Sequence, residues 1–445
     1  MAQTSETLES LLAAITELTT TLTATLRARN LPEPSFNEDA PGSLPPDQDI
    51  QGPRTKLVGA LMDMLHLAMG PNEYFITQNM WISNEAMALD VLNRFNFWGA
   101  VPMGGSASYA EIAAATKLPE QMAHRFLRFG MSMYLFREES PESNRIVHTA
   151  ASAYMARNHH MQSFTSHLLE DVRPATIVMA DALQKWSAGH PTPSEELEHA
   201  AFYLASFDGK VVSRPMWEFL NADEKEGEPK GYRATRFAEG LQALGGMINT
   251  ETYVETFDWE SLGEAIVVDV GGSSGHISAM VAKSHPQLHF IVQDLPELQP
   301  AFDEAMASAP KLADRISFQV HDFFTPQPVS ASAYIFRNIF HDWPDKYVVK
   351  ILQQLVPALT PGARIALFDI IMLPDYDENR QRPPLPVRKM QGAFDMQMLA
   401  LFNAKERTAE DWTIVFKMAD DRFRVNAIKM IPGASVGLID VVFDG

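Results

Sequence analysis

Apolar and polar positions alternate along this chain with different periods in its two halves. Leu8, Leu11, Ile15, Leu18 and Leu22 return every three or four residues, which sets them on one stripe of an opening helix running to about Arg27. So narrow a seam calls for another helix, either in its own domain or in a second copy of the chain. Residues 30–54 are rich in Pro, Asp and Gly without any period, and read as an irregular connector over the surface. Helical patterning dominates residues 55–154. Within it, two short amphipathic helices, around 108–113 and 121–127, flank Lys117-Leu118-Pro119 in the manner of a helix-turn-helix inside a winged-helix unit. Helices continue over 159–244, with 172–187 and 233–244 leading toward a different pattern.

That pattern begins beyond Ala265. Apolar runs at 266–270, 289–293, 316–321, 333–336 and from 364 to 367 and beyond predict strands, and helices are predicted between them at 277–284, 298–307 and 346–359. This βαβ repetition means a parallel sheet covered on both faces. Residues 374–388 form a second loop dense in Pro and charge, Thr408 opens a further helix, and 436–443 reads as an edge strand. The domain order expected is an N-terminal helix (1–29), a Pro/acidic linker (30–54), a winged-helix-like unit (55–154), connecting helices (155–250) and an α/β domain with a doubly wound, Rossmann-like sheet (251–445).

Composition narrows what such a chain can do. With 445 residues, 46% of them hydrophobic, it can bury a full core and hold two domains plus extensions. No apolar run approaches the roughly 20 residues that span a bilayer, and the start lacks a basic-then-apolar secretory pattern. Glu6 and Glu9 precede the first Arg, which argues against an organelle transit peptide, so a cytoplasmic protein without a membrane partner is expected. The absence of cysteine excludes disulfides, thiolate zinc sites and cysteine nucleophiles. A net charge of -20 makes nucleic acid a poor partner, because its phosphates would be repelled. The helix-turn-helix is therefore read as a dimerisation and pocket-covering module instead of a DNA reader.

The chemistry concentrates where strands end. Val267-Val268-Asp269-Val270-Gly271-Gly272-Ser273-Ser274-Gly275-His276 is an apolar run closing in an acid and a glycine cluster, and a second run closes in Asp294. This is the layout of a nucleotide-type crevice: glycines let backbone approach a ligand, and Asp294 can accept hydrogen bonds from two ribose hydroxyls. The order G-x-G-x-x-G is missing and no Gly-Lys-Ser/Thr follows, so a phosphate cradle is disfavoured. A nucleoside without phosphate fits better, and S-adenosylmethionine is the common one. The same residues match G-x-S-x-G, a hydrolase elbow with Ser273 as nucleophile, but that reading leaves Asp294 unused.

Further along, Phe340-His341-Asp342-Trp343 follows a strand, Asp369 ends the next, and Glu406 precedes the helix opened by Thr408. A histidine held by carboxylates is a general base with a fixed tautomer. Taken singly, Asp342 could be a helix N-cap and Glu406 a solvated charge.

Taken together, these motifs resemble the class I S-adenosylmethionine-dependent O-methyltransferases, in the branch found in fungal secondary-metabolite clusters. The resemblance runs from about Ala28 to the end. It is carried by Asp269-Val270-Gly271-Gly272, Asp294-Leu295-Pro296, His321-Asp322-Phe323-Phe324, Phe340-His341-Asp342-Trp343 and Asn403-Ala404-Lys405-Glu406-Arg407-Thr408. It implies S-adenosylmethionine held by Gly271, Gly272, Asp294, Asp322, Phe323 and Arg337, with His341 as base flanked by Asp369 and Glu406. It also implies a homodimer, a small apolar polyketide-like or aromatic acceptor bearing a hydroxyl, and acceptor contacts from Asn158, His160, Met398 and Phe402. No metal is expected, and the vicinal pair His159-His160 reads first as a helix-start surface pair. Two alternatives stand beside methyl transfer. A few proteins of this fold are pericyclases that use the cofactor as a fixed charge, a role in which His160 and Arg337 would polarise the substrate. The other is a silent partner that binds cofactor and turns nothing over.

Overall fold

The computed structural model describes residues 6–222, 225, 227–245, 251–376, 382–431 and 436–445. Its contacts divide the chain into two compact units, each discontinuous in sequence. The helical unit contains residues 1–174, 217–247 and 384–389, and the sheet unit contains 175–216, 248–383 and 390–445. The stretch 155–250, expected as one connecting block, is thus shared between the two.

In the helical unit the opening helix runs Leu8–Ala28, started by a capping box in which Thr7 and Ser10 satisfy each other's backbone N–H groups. Its seam packs in cis: Leu22 and Leu26 are buried with Ile50 of the next helix, Gln48–Arg94. That contact corrects the connector, which ends at Asp47 and not at Arg54. Burying Ile50 outweighs the helix-breaking tendency of Pro53, which lies inside the helix. The helix is broken at Gly70, whose φ of 67° no ordinary residue adopts without strain, just before Pro71. The helix pair Tyr109–Thr116 and Glu120–Ser132 is present, joined through Lys117 in the left-handed region. A small antiparallel sheet of Ala107–Ser108, Phe136–Glu138 and Arg145–His148 accompanies it. The helix expected over 172–187 is interrupted: a π-type turn His167–Val172 leads to Arg173–Ile177, and Met179–Trp186 follows after Val178.

In the sheet unit the strands are β1 (Ala265–Val270), β2 (Leu288–Asp294), β3 (Ile316–Val320), β4 (Ala333–Arg337), β5 (Arg364–Met372), β6 (Phe423–Met430) and β7 (Val436–Phe443). They lie in the order β3-β2-β1-β4-β5-β7-β6. The first five are parallel, and β7 inserts antiparallel between β5 and β6. Residues 436–443 are therefore internal and not the edge, as their nearly continuous burial requires, whereas Arg424, Asn426 and Lys429 mark β6 as the solvated border. Two apolar layers sandwich the sheet, one around Trp259, Val281 and Phe302, the other around Ile351, Leu352 and Trp412. Strand order reverses between β1 and β4, and at such a switch point the carboxyl ends of the strands open a crevice. The Pro-rich loop is shorter than expected, since a helix already begins at Leu385; residues 377–381 lie outside the described residues.

Candidate active site

Asp294 and Arg337 end their strands, whereas Asp369 lies inside β5, which runs on to Met372 and does not end at Asp369 as expected, and Glu406 precedes the short strand Arg407–Thr408. After β1 the chain turns through Gly271 at φ 71°, and a Cβ there would meet Ile339 Cδ1 at 2.5 Å. A Cβ on Gly272 would sit 2.6 Å from the carboxyl carbon of Asp269. These glycines keep a cradle open that any side chain would fill. Asp269 is buried and accepts a hydrogen bond from Ser278 Oγ at 2.6 Å; burial pushes its pKa up to about 6, against the pull of that hydroxyl and of Arg337. Asp294 ends β2 with Oδ2 accepting the Ser273 N–H and Oδ1 the Leu295 N–H, both at 2.8 Å, which fixes the carboxylate at the lip of the glycine turn. Its pKa is raised by burial. Phe323 stacks edge-on against Trp343, with centroids 5.8 Å apart, so the loop after β3 meets the loop after β4; Asp322 caps the Phe324 N–H. Arg337 lies over the Tyr253 ring at 5.3 Å, and among the described residues its buried Nε and the buried Asn338 Oδ1 have no hydrogen-bond partner.

The loop after β4 turns through Phe340–Asp342 and delivers His341. Its Nδ1 is 3.1 Å from Glu406 Oε1 and 3.7 Å from Asp369 Oδ1, and its backbone N–H donates to Asp369 Oδ2 at 3.1 Å. On the other edge, Nε2 faces Asp342 Oδ1 at 3.6 Å, beyond hydrogen-bond range. The Asp369 and Glu406 side chains are fully buried. Register explains the pairing. Arg407–Thr408 forms a two-residue strand parallel to β5, with Arg407 opposite Ile371, so Glu406 arrives beside the residues that follow Asp369. Burial alone would lower the imidazole's pKa, but the carboxylates of Asp369, Asp342 and Glu406 reverse that and raise it to about 10. Asp342 in turn is pushed up to about 7, chiefly by burial, and Asp369 moves upward for the same reason. Asp342 caps no helix: the helix Asp345–Leu355 begins after Pro344.

Sequence reasoning passed over Arg407. Completely buried, it donates to Phe340 O at 2.9 Å, Trp343 O at 2.8 Å and Asp345 Oδ1 at 2.8 Å, clasping both ends of the turn that carries His341. Asn403 was also missed as a tie: in a left-handed conformation, it donates to the carbonyls of Ser194 and Glu196 at 2.8 and 2.9 Å. Of the expected acceptor contacts, Met398 and Phe402 are buried on the part of the helix Leu385–Phe402 that belongs to the sheet unit. In the helical unit, Asn158 caps the helix His159–Ser166, accepting from the Met161 N–H and donating to Tyr154 Oη. His160 is exposed on that helix, and its neighbour His159 lies 3.2 Å from Glu239. The Ser273 backbone N–H donates to Asp294, and among the described residues no histidine is hydrogen-bonded to the Ser273 hydroxyl.

Residues 204–420 match the model of the O-methyltransferase domain family. O-methyltransferase lcsG of Purpureocillium lilacinum is 33% identical over 89% of this chain and 85% of its own length. The chain belongs to the S-adenosylmethionine-dependent O-methyltransferases. Its branch is that of fungal secondary-metabolite enzymes, and a chlorophenol O-methyltransferase of Trichoderma longibrachiatum is 32% identical over 95% of this chain and 87% of its own. Among solved structures, OxaC in complex with sinefungin and meleagrin superposes with a TM-score of 0.68 at 23% identity, covering 97% of this O-methyltransferase and 99% of OxaC. LepI in complex with SAM gives 0.68 at 18% identity, covering 98% and 100%. At such identities the last two speak for the fold alone. Because the closer relatives are methyltransferases, the pericyclase alternative is not favoured. S-adenosylmethionine is the cofactor of this family, and the open glycine cradle, the carboxylate at its lip and the unpartnered Arg337 Nε suit a ligand carrying ribose and carboxylate. Among the described residues, no helix is long and apolar enough to cross a membrane.

Proposed function

We propose that this enzyme methylates a phenolic or enolic hydroxyl of a small apolar metabolite, with His341 as general base. The observation that carries the reading is the asymmetry of the imidazole: Nδ1 is engaged by Glu406 at 3.1 Å, while Nε2 has no hydrogen-bond partner among the described residues. A base so held presents one lone pair in one direction once its second proton has left. An imidazole raised to about 10 matches the acidity of a phenol, also about 10, so proton transfer between them is nearly thermoneutral. An aliphatic alcohol lies far above that match. Asp342, at 3.6 Å from Nε2, adds negative charge beside the imidazolium that forms when His341 accepts the proton.

Gly271, Gly272, Asp294, Asp322, Phe323 and Arg337 would hold the cofactor, which when bound supplies an electrophilic methyl group. The chain's own work is then to fix the acceptor oxygen, exclude water and hold the proton. Met398 and Phe402, buried on the helix Leu385–Phe402, would supply apolar wall to the acceptor. Asn158 is engaged in capping and His160 is a surface histidine of the helix start, so neither enters the mechanism proposed.

A homodimer belongs to the same proposal. The helix Gln48–Arg94 leaves Leu61, Leu65, Leu67, Phe75, Ile76, Met80, Trp81 and Ile82 exposed on either side of its break at Gly70, apolar surface that a second copy would cover. A cytoplasmic location also remains part of the reading. The test incubates the protein with methyl-labelled cofactor and a panel of phenols and aliphatic alcohols. Label in phenols alone supports the assignment; cofactor bound without transfer to any phenol overturns it.

A further inference from the structure

The cluster that serves as base also has the composition of a transition-metal site. His341, Asp369 and Glu406 each offer one ligand atom, and these atoms lie within 4.8 Å of one another. A tetrahedral zinc ion with bonds of about 2.1 Å needs ligand atoms about 3.4 Å apart, and the two pairs involving Nδ1 are already at 3.1 and 3.7 Å. An independent feature points the same way. Glu406 Oε2 belongs to a fully buried carboxylate whose other oxygen touches Nδ1, yet among the described residues it has no hydrogen-bond partner. A buried carboxylate oxygen left unsatisfied favours a cation, and Asp342 adds further negative charge on the far edge of the ring.

We propose that His341 Nδ1, Glu406 and Asp369 bind a zinc-class divalent ion, and that this ion inhibits the enzyme. The chemistry follows from the ring. When Nδ1 gives up its proton and binds the ion, the neutral imidazole carries its remaining proton on Nε2. The lone pair that would take the acceptor's proton is then gone. The ion displaces one proton and no bond to carbon changes. Magnesium, which keeps its water shell and prefers oxygen ligands, does not compete for this imidazole. Inhibition rests on His341 being the base; binding does not.

The experiment titrates zinc chloride into chelator-stripped protein by calorimetry, with no cofactor and no acceptor, so a failure of methyl transfer leaves its readout intact. One zinc per chain is expected, with affinity at least ten-fold weaker in both Glu406→Gln and His341→Asn and unchanged in His159→Ala, which removes the exposed His159–Glu239 pair. Magnesium chloride should give no heat at the same concentrations. Binding that survives in both cluster variants, or that is lost in His159→Ala, overturns the assignment. Circular dichroism of the variants, matching wild type, excludes misfolding as the cause of lost binding. A zinc-induced rise in Tm, expected in wild type and absent from both cluster variants, checks the same ligands without relying on heat of binding.

Discussion

Two buried clusters in this molecule use the same residue types to opposite ends. In the helical unit, Asp171 accepts from His167 Nδ1 at 3.1 Å, from Arg236 at 2.6 Å and from Arg233, while Glu170 pairs with Arg236 at 3.0 Å and Arg94 at 3.4 Å. In the sheet unit, His341 is met by Glu406, Asp369 and Asp342, and the buried cation nearby, Arg407, pairs with Asp345. Where arginines outnumber carboxylates, the Asp171 pKa is driven down despite burial. Where carboxylates surround one imidazole, Asp342, Asp369 and the imidazole are all driven up. The balance of charge, more than the presence of a buried His-Asp contact, separates a structural tie from a group ready to exchange protons.

The sharpest way to break this contrast is to remove each centre. His341→Asn should lower kcat by roughly 10²–10⁴-fold with unchanged cofactor affinity, read by label transfer and by cofactor titration. Asp171→Asn should leave the chemistry alone but destabilise the protein by about 3–5 kcal/mol in a denaturant titration, because Arg233 and Arg236 lose the charge of a buried carboxylate they share. If Asp171→Asn abolished turnover without a loss of stability, the division of roles would be wrong.

Glu406→Gln removes one of the charges holding up the imidazole. The ascending limb of kcat/KM, which in wild type should climb as His341 sheds its proton toward pH 10, moves to lower pH in this variant. An unmoved limb would mean that another group is titrating.

The smallest effect is one of stability against pH, and the clusters should give it opposite signs. His341 has a folded pKa above its unfolded value of 6.5, so its contribution is complete below 6.5 and disappears as pH rises through about 10. Asp342 behaves alike, losing its share between 3.8 and about 7. Asp171, held below 3.8, contributes above that value and loses its share as pH falls through the lowered pKa. The Tm difference between wild type and His341→Asn should therefore shrink toward alkaline pH, and that for Asp171→Asn toward acid.

Much of the sheet unit was legible because local signals agreed with the tertiary answer. The strand ends at Val270, Asp294 and Arg337 and the helix cap at Thr408 stand where pattern and turn chemistry put them, whereas Asp369, read as a strand end, lies inside β5. What escaped depended on contacts between distant segments. Pro53 inside a helix is explained only by Ile50 packing on Leu22 and Leu26, and residues 436–443 become internal only when Phe423–Met430 pairs on their outer side. Arg407 looked like one charge in a polar run, since nothing local announces that the carbonyls of Phe340 and Trp343 converge on it. A basic residue following a carboxylate just before a capped helix is the signal that could have found it.

The pairing of Arg407–Thr408 with β5 also sets a tolerance on the active centre. Sliding that segment by one position would present the ammonium of Lys405 where the carboxylate of Glu406 now stands, turning attraction for an imidazolium into repulsion. Loop lengths between Phe402 and Thr408 are thus constrained to the single residue, and insertions there should be far less forgivable than insertions in the Pro-rich loop that precedes Leu385.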